Sequence, residues 1–216
     1  MPLEDRNILQ LKNHHKQMSD PYIIYADFEA LNIPVEGPAC DPKQSNTRLI
    51  ANQVPCSFSN IVVRIDGETS PPVLYRGENV VNVFLDRLRG ELKTIKDSLC
   101  NKASIVMTPE DKQAFGITKD CHICGEELVG DRVRNHCHMT GKYRRAAHNA
   151  CNLKLCIYSD KVKVPVVFHN LRGYDGHLIM QAYEGCEEKI NCIPNNMEKY
   201  MTFSFWQLSS SIVFSS

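Results

Sequence analysis

Hydrophobic and polar positions change period several times along this chain, and each change marks an element. Tyr22 to Ala30 is mostly aromatic, β-branched or small, follows Pro21 and precedes Pro34, and predicts a buried β-strand. Ser57 to Ile65 predicts a second strand, Asp66-Gly67 a hairpin turn and Val73 to Arg76 a third strand, together an antiparallel meander. Asn32 to Gln53, between the first two strands, is rich in Pro, Asn and Gly and predicts a loop. From Glu78 to Leu99 the period becomes helical. Val81, Phe84, Leu85, Leu88, Leu92, Ile95 and Leu99 step by three and four, with Asp86, Arg87, Arg89, Glu91, Lys93 and Lys96 opposite. Thr108-Pro109-Glu110-Asp111 reads as the capped start of a short helix, with Thr at the cap, Pro first and acids in the first turn. Val164 to Phe168 is wholly apolar, as in a strand inside a sheet. A Gly-containing turn over His169 to Asp175 follows, then a helix over Gly176 to Tyr183 with Leu178, Ile179 and Ala182 inward. Asn191 to Ser216 predicts one or two strands. Residues 1–20 predict an exposed, partly helical lead-in with a basic cluster at Lys12, His14, His15 and Lys16.

Two carboxylates interrupt the first strand. Side chains alternate faces along a strand, so Asp27 and Glu29 point the same way and Phe28 the other. Like charges side by side on an apolar strand are costly unless a cation lies between them, and magnesium or manganese favours oxygen ligands. The plainer alternative is a strand end that presents two acids to solvent.

Composition narrows the class. The 216 residues allow one large domain, or one domain carrying a small insert, and 43% hydrophobic content supports a core. Lys+Arg 25 balances Asp+Glu 25, so no global basic field announces nucleic acid, although local patches remain open. There is no apolar signal core at the amino terminus and no run near the ~18 apolar residues of a membrane span. A soluble, intracellular protein without a membrane partner is expected. Of the ten cysteines, only Cys121, Cys124 and Cys151 form a tight pattern, which in a reducing compartment favours metal over disulfides. The others are expected to be free thiols.

Cys121-x2-Cys124 and His148-x2-Cys151 supply two ligand pairs, each able to sit on a tight knuckle, and together a tetrahedral Cys3His site suited to structural Zn2+. The loop between them is basic, with Arg132, Arg134, His136, His138, Lys142, Arg144 and Arg145. Ligand sets drawn from His136, Cys137 or His138 fit the usual two-Cys, two-His spacing poorly. Cys-x2-Cys, then Val133-Arg-Asn-His-Cys-His-Met-Thr-Gly-Lys-Tyr-Arg-Arg145, then Ala147-His-Asn-Ala-Cys-Asn152, resembles the phage recombination endonuclease VII family, a zinc-bound branch of the HNH (ββα-metal) nucleases. In that family an Asp-His pair stands where Asn135-His136 stands here. The Asp binds the catalytic metal, the His activates water, and an Asn after the last zinc ligand completes the site. The resemblance therefore implies roles for His136 and Asn152. Asn135 departs from it: an amide in place of a carboxylate removes a negative charge and weakens magnesium binding. Arg145 stands where the family usually has Gly. A unit that binds zinc, touches DNA phosphates through Arg134, Arg144 and Arg145, and cleaves poorly is expected.

Asp27-x-Glu29 on one strand, followed later by Asn170-x3-Tyr174-Asp175 after another, resembles the first two exonuclease motifs of family B DNA polymerases. Tyr25-Ala-Asp-Phe-Glu29, Cys121-His-Ile-Cys-Gly125, Phe168-His-Asn-Leu-Arg-Gly-Tyr-Asp175 and Ile193-Pro-Asn-Asn-Met-Glu-Lys-Tyr200, in that order, resemble the protein-primed polymerases of Maverick/Polinton-type transposons and related elements. There a zinc unit lies between the two motifs. The resemblance implies an α/β, RNase-H-like (DnaQ-like exonuclease) fold, a mixed sheet with flanking helices interrupted by a small zinc-bound ββα-type insert. The domains would be a lead-in at 1–20, a split exonuclease-like domain at 21–115 and 160–216, and the insert at 116–158. Asp27, Glu29 and Asp175 would hold two Mg2+ or Mn2+ ions for hydrolysis at a DNA 3′ end. Asn170 and Tyr174 would hold and stack that end, where a turn-capping amide and a packed ring are the plainer roles. The fourth carboxylate of such sites is not matched, since Ser204 stands in register after Tyr200 and no Asp follows Asp175. Glu184, Glu187, Glu188 and Glu198 lie at other spacings. The polymerase palm is also absent, so a fragment of a DNA-directed DNA polymerase carrying its 3′-5′ exonuclease-like region is expected. The alternatives are a zinc-stapled endonuclease acting on branched DNA, and a non-catalytic DNA-binding remnant.

Overall fold

The computed structural model describes residues 19–36, 50–155, 162–182, 190–194, 200–207 and 210–215. The chain is mixed α/β. Strands β1 (Tyr22–Pro34), β2 (Ala51–Arg64) and β3 (Val73–Arg76) lead into helix α1 (Val80–Cys100) and the short helix α2 (Pro109–Ile117). A hairpin of β4 (Arg132–His136) and β5 (Tyr143–His148) runs into α3 (Asn149–Lys154). Then come β6 (Lys163–Phe168), a π-helical turn (Leu171–Asp175), α4 (Gly176–Ala182), β7 (Ile190–Pro194), β8 (Tyr200–Gln207) and β9 (Ser210–Ser215).

Seven strands form one sheet in the order β3-β2-β1-β6-β9-β8-β7. The meander β1-β2-β3 is antiparallel, as the sequence predicts, while β6 joins β1 and β9 in parallel. Two boundaries differ from the sequence reading. The first two strands extend into the expected loop, pairing Leu31 with Val54, Asn32 with Gln53, Ile33 with Asn52 and Pro34 with Ala51. Alternating apolar residues carry that extension, and Pro34 falls at its end, where a missing N–H costs least. The carboxyl-terminal stretch holds three strands rather than one or two. The lead-in cluster, residues 37–49 and the Asn195 to Lys199 part of the last motif lie outside the described residues.

The first strand is buried on one face only. Tyr22, Ile24, Ala26 and Phe28 are buried, whereas Tyr25, Asp27 and Glu29 on the other face are exposed. Under the buried face α1 lays its apolar stripe, Val81, Phe84, Leu85, Leu88, Leu92 and Ile95. The phenyl ring of Phe28 meets those of Phe84 edge-on at 4.9 Å, Phe168 in a stack at 5.8 Å and Phe58 at 6.3 Å. Each buried ring contributes roughly 2–3 kcal/mol of apolar burial. Phe28 thus belongs to the core, as its place in the alternation predicts.

The contacts divide the chain into two compact units, one of residues 20–98 with the described residues from 162 onward, the other of residues 99–155. The second begins earlier than the expected 116. Residues 99–115 bind the hairpin through Ala103 N–H to His138 O at 2.7 Å and Val106 N–H to Gly141 O at 2.8 Å. The ring of Phe115 also meets that of Tyr143 edge-on at 6.3 Å. Gly141 has φ +73°, and any side chain there would collide with the Ser104 carbonyl. The predicted start of α2 is a reciprocal cap. Thr108 Oγ1 accepts from Asp111 N–H at 3.2 Å, and an Asp111 carboxylate oxygen accepts from Thr108 N–H at 3.0 Å. No helix among the described residues is long and apolar enough to cross a membrane.

Candidate functional site

The ladder between β1 and β6 runs from Ile24 opposite Val166 to Ala26 opposite Phe168. Beyond Phe168 the chain leaves the sheet through His169 and Asn170 and winds into the π-helical turn. Phe28, two residues past the last pair, would present an unpaired N–H on a buried edge. Asp175 meets that need: its Oδ1 accepts from Phe28 N–H at 3.2 Å. The carboxylate is fully buried, and its Oδ2 finds no hydrogen-bond partner among the described residues. Burial pushes the Asp175 carboxyl up, the Phe28 N–H pulls the other way and the charge of Asp27 adds to the rise, leaving it at about 6.

The half-buried phenol of Tyr174 is raised first by burial, then by the charges of Asp175, Glu29 and Asp27 among others. Asn170 starts the turn by its backbone, its carbonyl accepting from Gly173 N–H at 3.1 Å and Tyr174 N–H at 2.9 Å. The exposed side chain makes no capping bond. It lies against Gly173, where a Cβ would stand 2.5 Å from Asn170 Oδ1, so glycine there leaves room for the amide.

In the second unit, Cys121, Cys124, His148 and Cys151 place one ligand atom each within 4.8 Å of one another. They form a possible metal-binding group, and among the described residues no other set of three or more acids, His and Cys converges so tightly. His148 Nδ1 lies 3.4 Å from Cys124 Sγ and 4.0 Å from Cys151 Sγ. A tetrahedral ion with ordinary Zn–S and Zn–N bonds separates sulfur and nitrogen by about 3.6 Å. The far nitrogen of the ring, Nε2, donates to the Glu127 carbonyl at 2.9 Å, which fixes the tautomer and turns Nδ1 toward the sulfurs. Burial opposes ionisation of Cys121, but N–H groups of Cys124, His148 and Ile123 converge on its sulfur and bring the thiol down to about 6. The same Glu127 carbonyl and the Cys124 sulfur push His148 up to about 9.

The nuclease-like residues of this unit do not form an open site. Asn135 is buried, and its amide N–H donates to Asn152 Oδ1 at 2.6 Å, so the two carboxamides are tied to each other. The ring of His136 lies 4.7 Å from that of His138. The guanidinium of Arg134 lies over Phe115 at 5.1 Å, beside Arg132 at 4.6 Å on the same ring. Arg145 is exposed opposite Asn135, and Arg144 is half-buried. From Arg132 to Leu155 the chain carries Arg132, Arg134, Lys142, Arg144, Arg145 and Lys154 and no acidic residue. Among the described residues no disulfide forms, while Cys40, Cys156 and Cys186 lie outside them.

Sequence reasoning missed three participants. Glu127 acts through its carbonyl, which no side-chain pattern marks. Phe115 works as a platform for arginines from another element. His122, whose buried Nε2 has no hydrogen-bond partner among the described residues, sits inside the Cys-x2-Cys knuckle and reads as a spacer. Comparison with family models, curated proteins and solved structures gave no match.

Two outcomes are expected. Native Asp175 holds its proton to about pH 6 and the unfolded carboxyl only to about 3.8, so the native state binds more protons between these values and loses stability as pH rises through them. Asp175→Asn should therefore stabilise the protein by about 1–3 kcal/mol at pH 7.5, with the gain vanishing near pH 4, in paired denaturant titrations. Titration of metal-free protein with Co2+ should give intense tetrahedral and thiolate-to-cobalt absorption bands at one equivalent, and Cys121→Ser should weaken or abolish them.

Proposed function

We propose that the unit of residues 20–98 and 162–215 is a metal-dependent 3′-5′ exonuclease domain of RNase-H-like fold, from the protein-primed family B DNA polymerase lineage. The observation that carries this reading is the buried Asp175 carboxylate, hydrogen-bonded to the Phe28 N–H between Asp27 and Glu29 on the neighbouring strand. Asp27 and Glu29 share the exposed face of β1, and Asp175, at the end of the turn that follows β6, is tied to the residue between them. The strand order around β1 suits such a fold as well.

Asp175 keeps one buried oxygen without a partner, and its carboxyl is raised by burial and by Asp27. That combination fits a cation-binding carboxylate better than a structural one, for which a full set of hydrogen bonds is the rule. Asp27, Glu29 and Asp175 would hold Mg2+ or Mn2+, which when bound supplies neutralising charge and a more acidic water at the phosphodiester. Tyr174 is protonated at neutral pH, as a phenol ordinarily is, and burial and the acids raise it further, so it can donate to a phosphate oxygen or to water. The exposed Asn170 side chain, which makes no capping bond, is available to the frayed end.

The unit of residues 99–155 is proposed to be stapled by Zn2+ on Cys121, Cys124, His148 and Cys151 and to meet DNA phosphates through Arg134, Arg144 and Arg145. The bond between Asn135 and Asn152 favours a binding role over cleavage, because it occupies the Asn152 oxygen that would face a catalytic metal, while an amide stands at 135 in place of a carboxylate.

The test is hydrolysis of a 5′-labelled single strand in Mn2+. Stepwise shortening from the 3′ end, abolished by Asp27→Ala and unaffected by His136→Ala, is expected. Internal nicks that survive Asp27→Ala and disappear in His136→Ala would replace this reading with an endonuclease, and binding without hydrolysis would leave a DNA-binding module.

A further inference from the structure

The exposed face of the sheet carries a groove of about 430 Å3 that crosses β2, β1 and β6. Its two walls differ in chemistry. On one side Tyr25 has Ile61 as its partner on β2 and Val167 as its partner on β6, which gives an apolar row three strands wide. On the other side stand the paired Ser59 and Asp27, two residues along β2 and β1, and His169, the first residue past the end of β6, a polar row. Tyr25 is 46% exposed, so the residue is open to a ligand. Residues two apart on a strand are roughly 6.6 Å apart, about the reach from a nucleobase to its own phosphate.

We propose that Tyr25 is a positioning residue of the proposed exonuclease site, the platform on which the base of the 3′-terminal nucleotide stacks while its phosphate lies at Asp27. This rests on the exonuclease reading. The choice of a nucleotide over a peptide or a second copy of the chain follows from the charges. The apolar wall lies one residue pair from Asp27, whose charge, with that of Glu29 further along β1, repels an anionic ligand until a divalent cation neutralises the acids. With the cation in place it suits a ligand that joins a flat apolar ring to an anion. Stacking on an aromatic ring is tolerant of sequence, as a site acting on any terminal base requires. Tyr25 touches the base and takes no part in bond cleavage.

The test uses the full chain with an oligonucleotide carrying 2-aminopurine at its 3′ end, in Ca2+ for binding and in Mn2+ for hydrolysis. Quenching of the terminal 2-aminopurine should depend on the cation. Tyr25→Ala and Tyr25→Leu should each lose the quenching and about tenfold in affinity, raise KM and leave kcat within about twofold. Tyr25→Phe should restore both. Tyr25→Leu keeps an apolar side chain on the strand, so a loss in Ala but not in Leu would mark a folding effect and overturn the inference. Unchanged binding in both, with shortening still abolished by Asp27→Ala, overturns the inference and leaves the exonuclease reading standing. Cation-independent binding, or none, overturns both.

Discussion

A hydrogen bond between a backbone N–H and a carboxylate from the far side of a parallel strand pair organises the sheet-containing unit. Phe28 needs a partner for its N–H where the ladder to β6 ends, and Asp175 Oδ1 supplies it at 3.2 Å. To reach that point the chain after β6 must wind through a π-helical turn instead of starting α4 directly. The wider turn half-buries Tyr174 and leaves Asn170 at the surface. Single-turn π-helices recur at functional sites because they re-aim side chains in this way.

The same residue pair couples the site to the core. The side chain of Phe28 is one of four packed phenyl rings, while its backbone holds Asp175 and its neighbours on both sides are Asp27 and Glu29. Strand alternation therefore fixes the acids on the open face as firmly as it fixes the ring beneath. A buried carboxylate kept near pH 6 is a cost to the fold at neutral pH, and a bound cation would offset it.

Much of this was legible in the residues. The stripe from Val81 to Ile95, the Thr108 cap, the pairing of strands up to Arg76 and the possible metal-binding group at Cys121, Cys124, His148 and Cys151 follow from periodicity, capping chemistry and spacing. Other features were not. The number of carboxyl-terminal strands was short because Ser and Thr positions in β8 and β9 blur the apolar alternation. The unit boundary at 99 depends on backbone bonds from Ala103 and Val106, and the Asn135–Asn152 bond on the fold of a hairpin against a helix. Contacts of these kinds leave no mark in composition or period.

The most direct measurement is a Mn2+ titration followed by electron paramagnetic resonance, on protein first loaded with zinc so that the thiolate site is filled. Saturable loss of the free-ion signal in the wild type, strongly weakened in both Asp27→Asn and Asp175→Asn, is the expected result. A wild-type titration indistinguishable from buffer, or equal binding by both variants, would contradict the assignment of these carboxylates to a cation site.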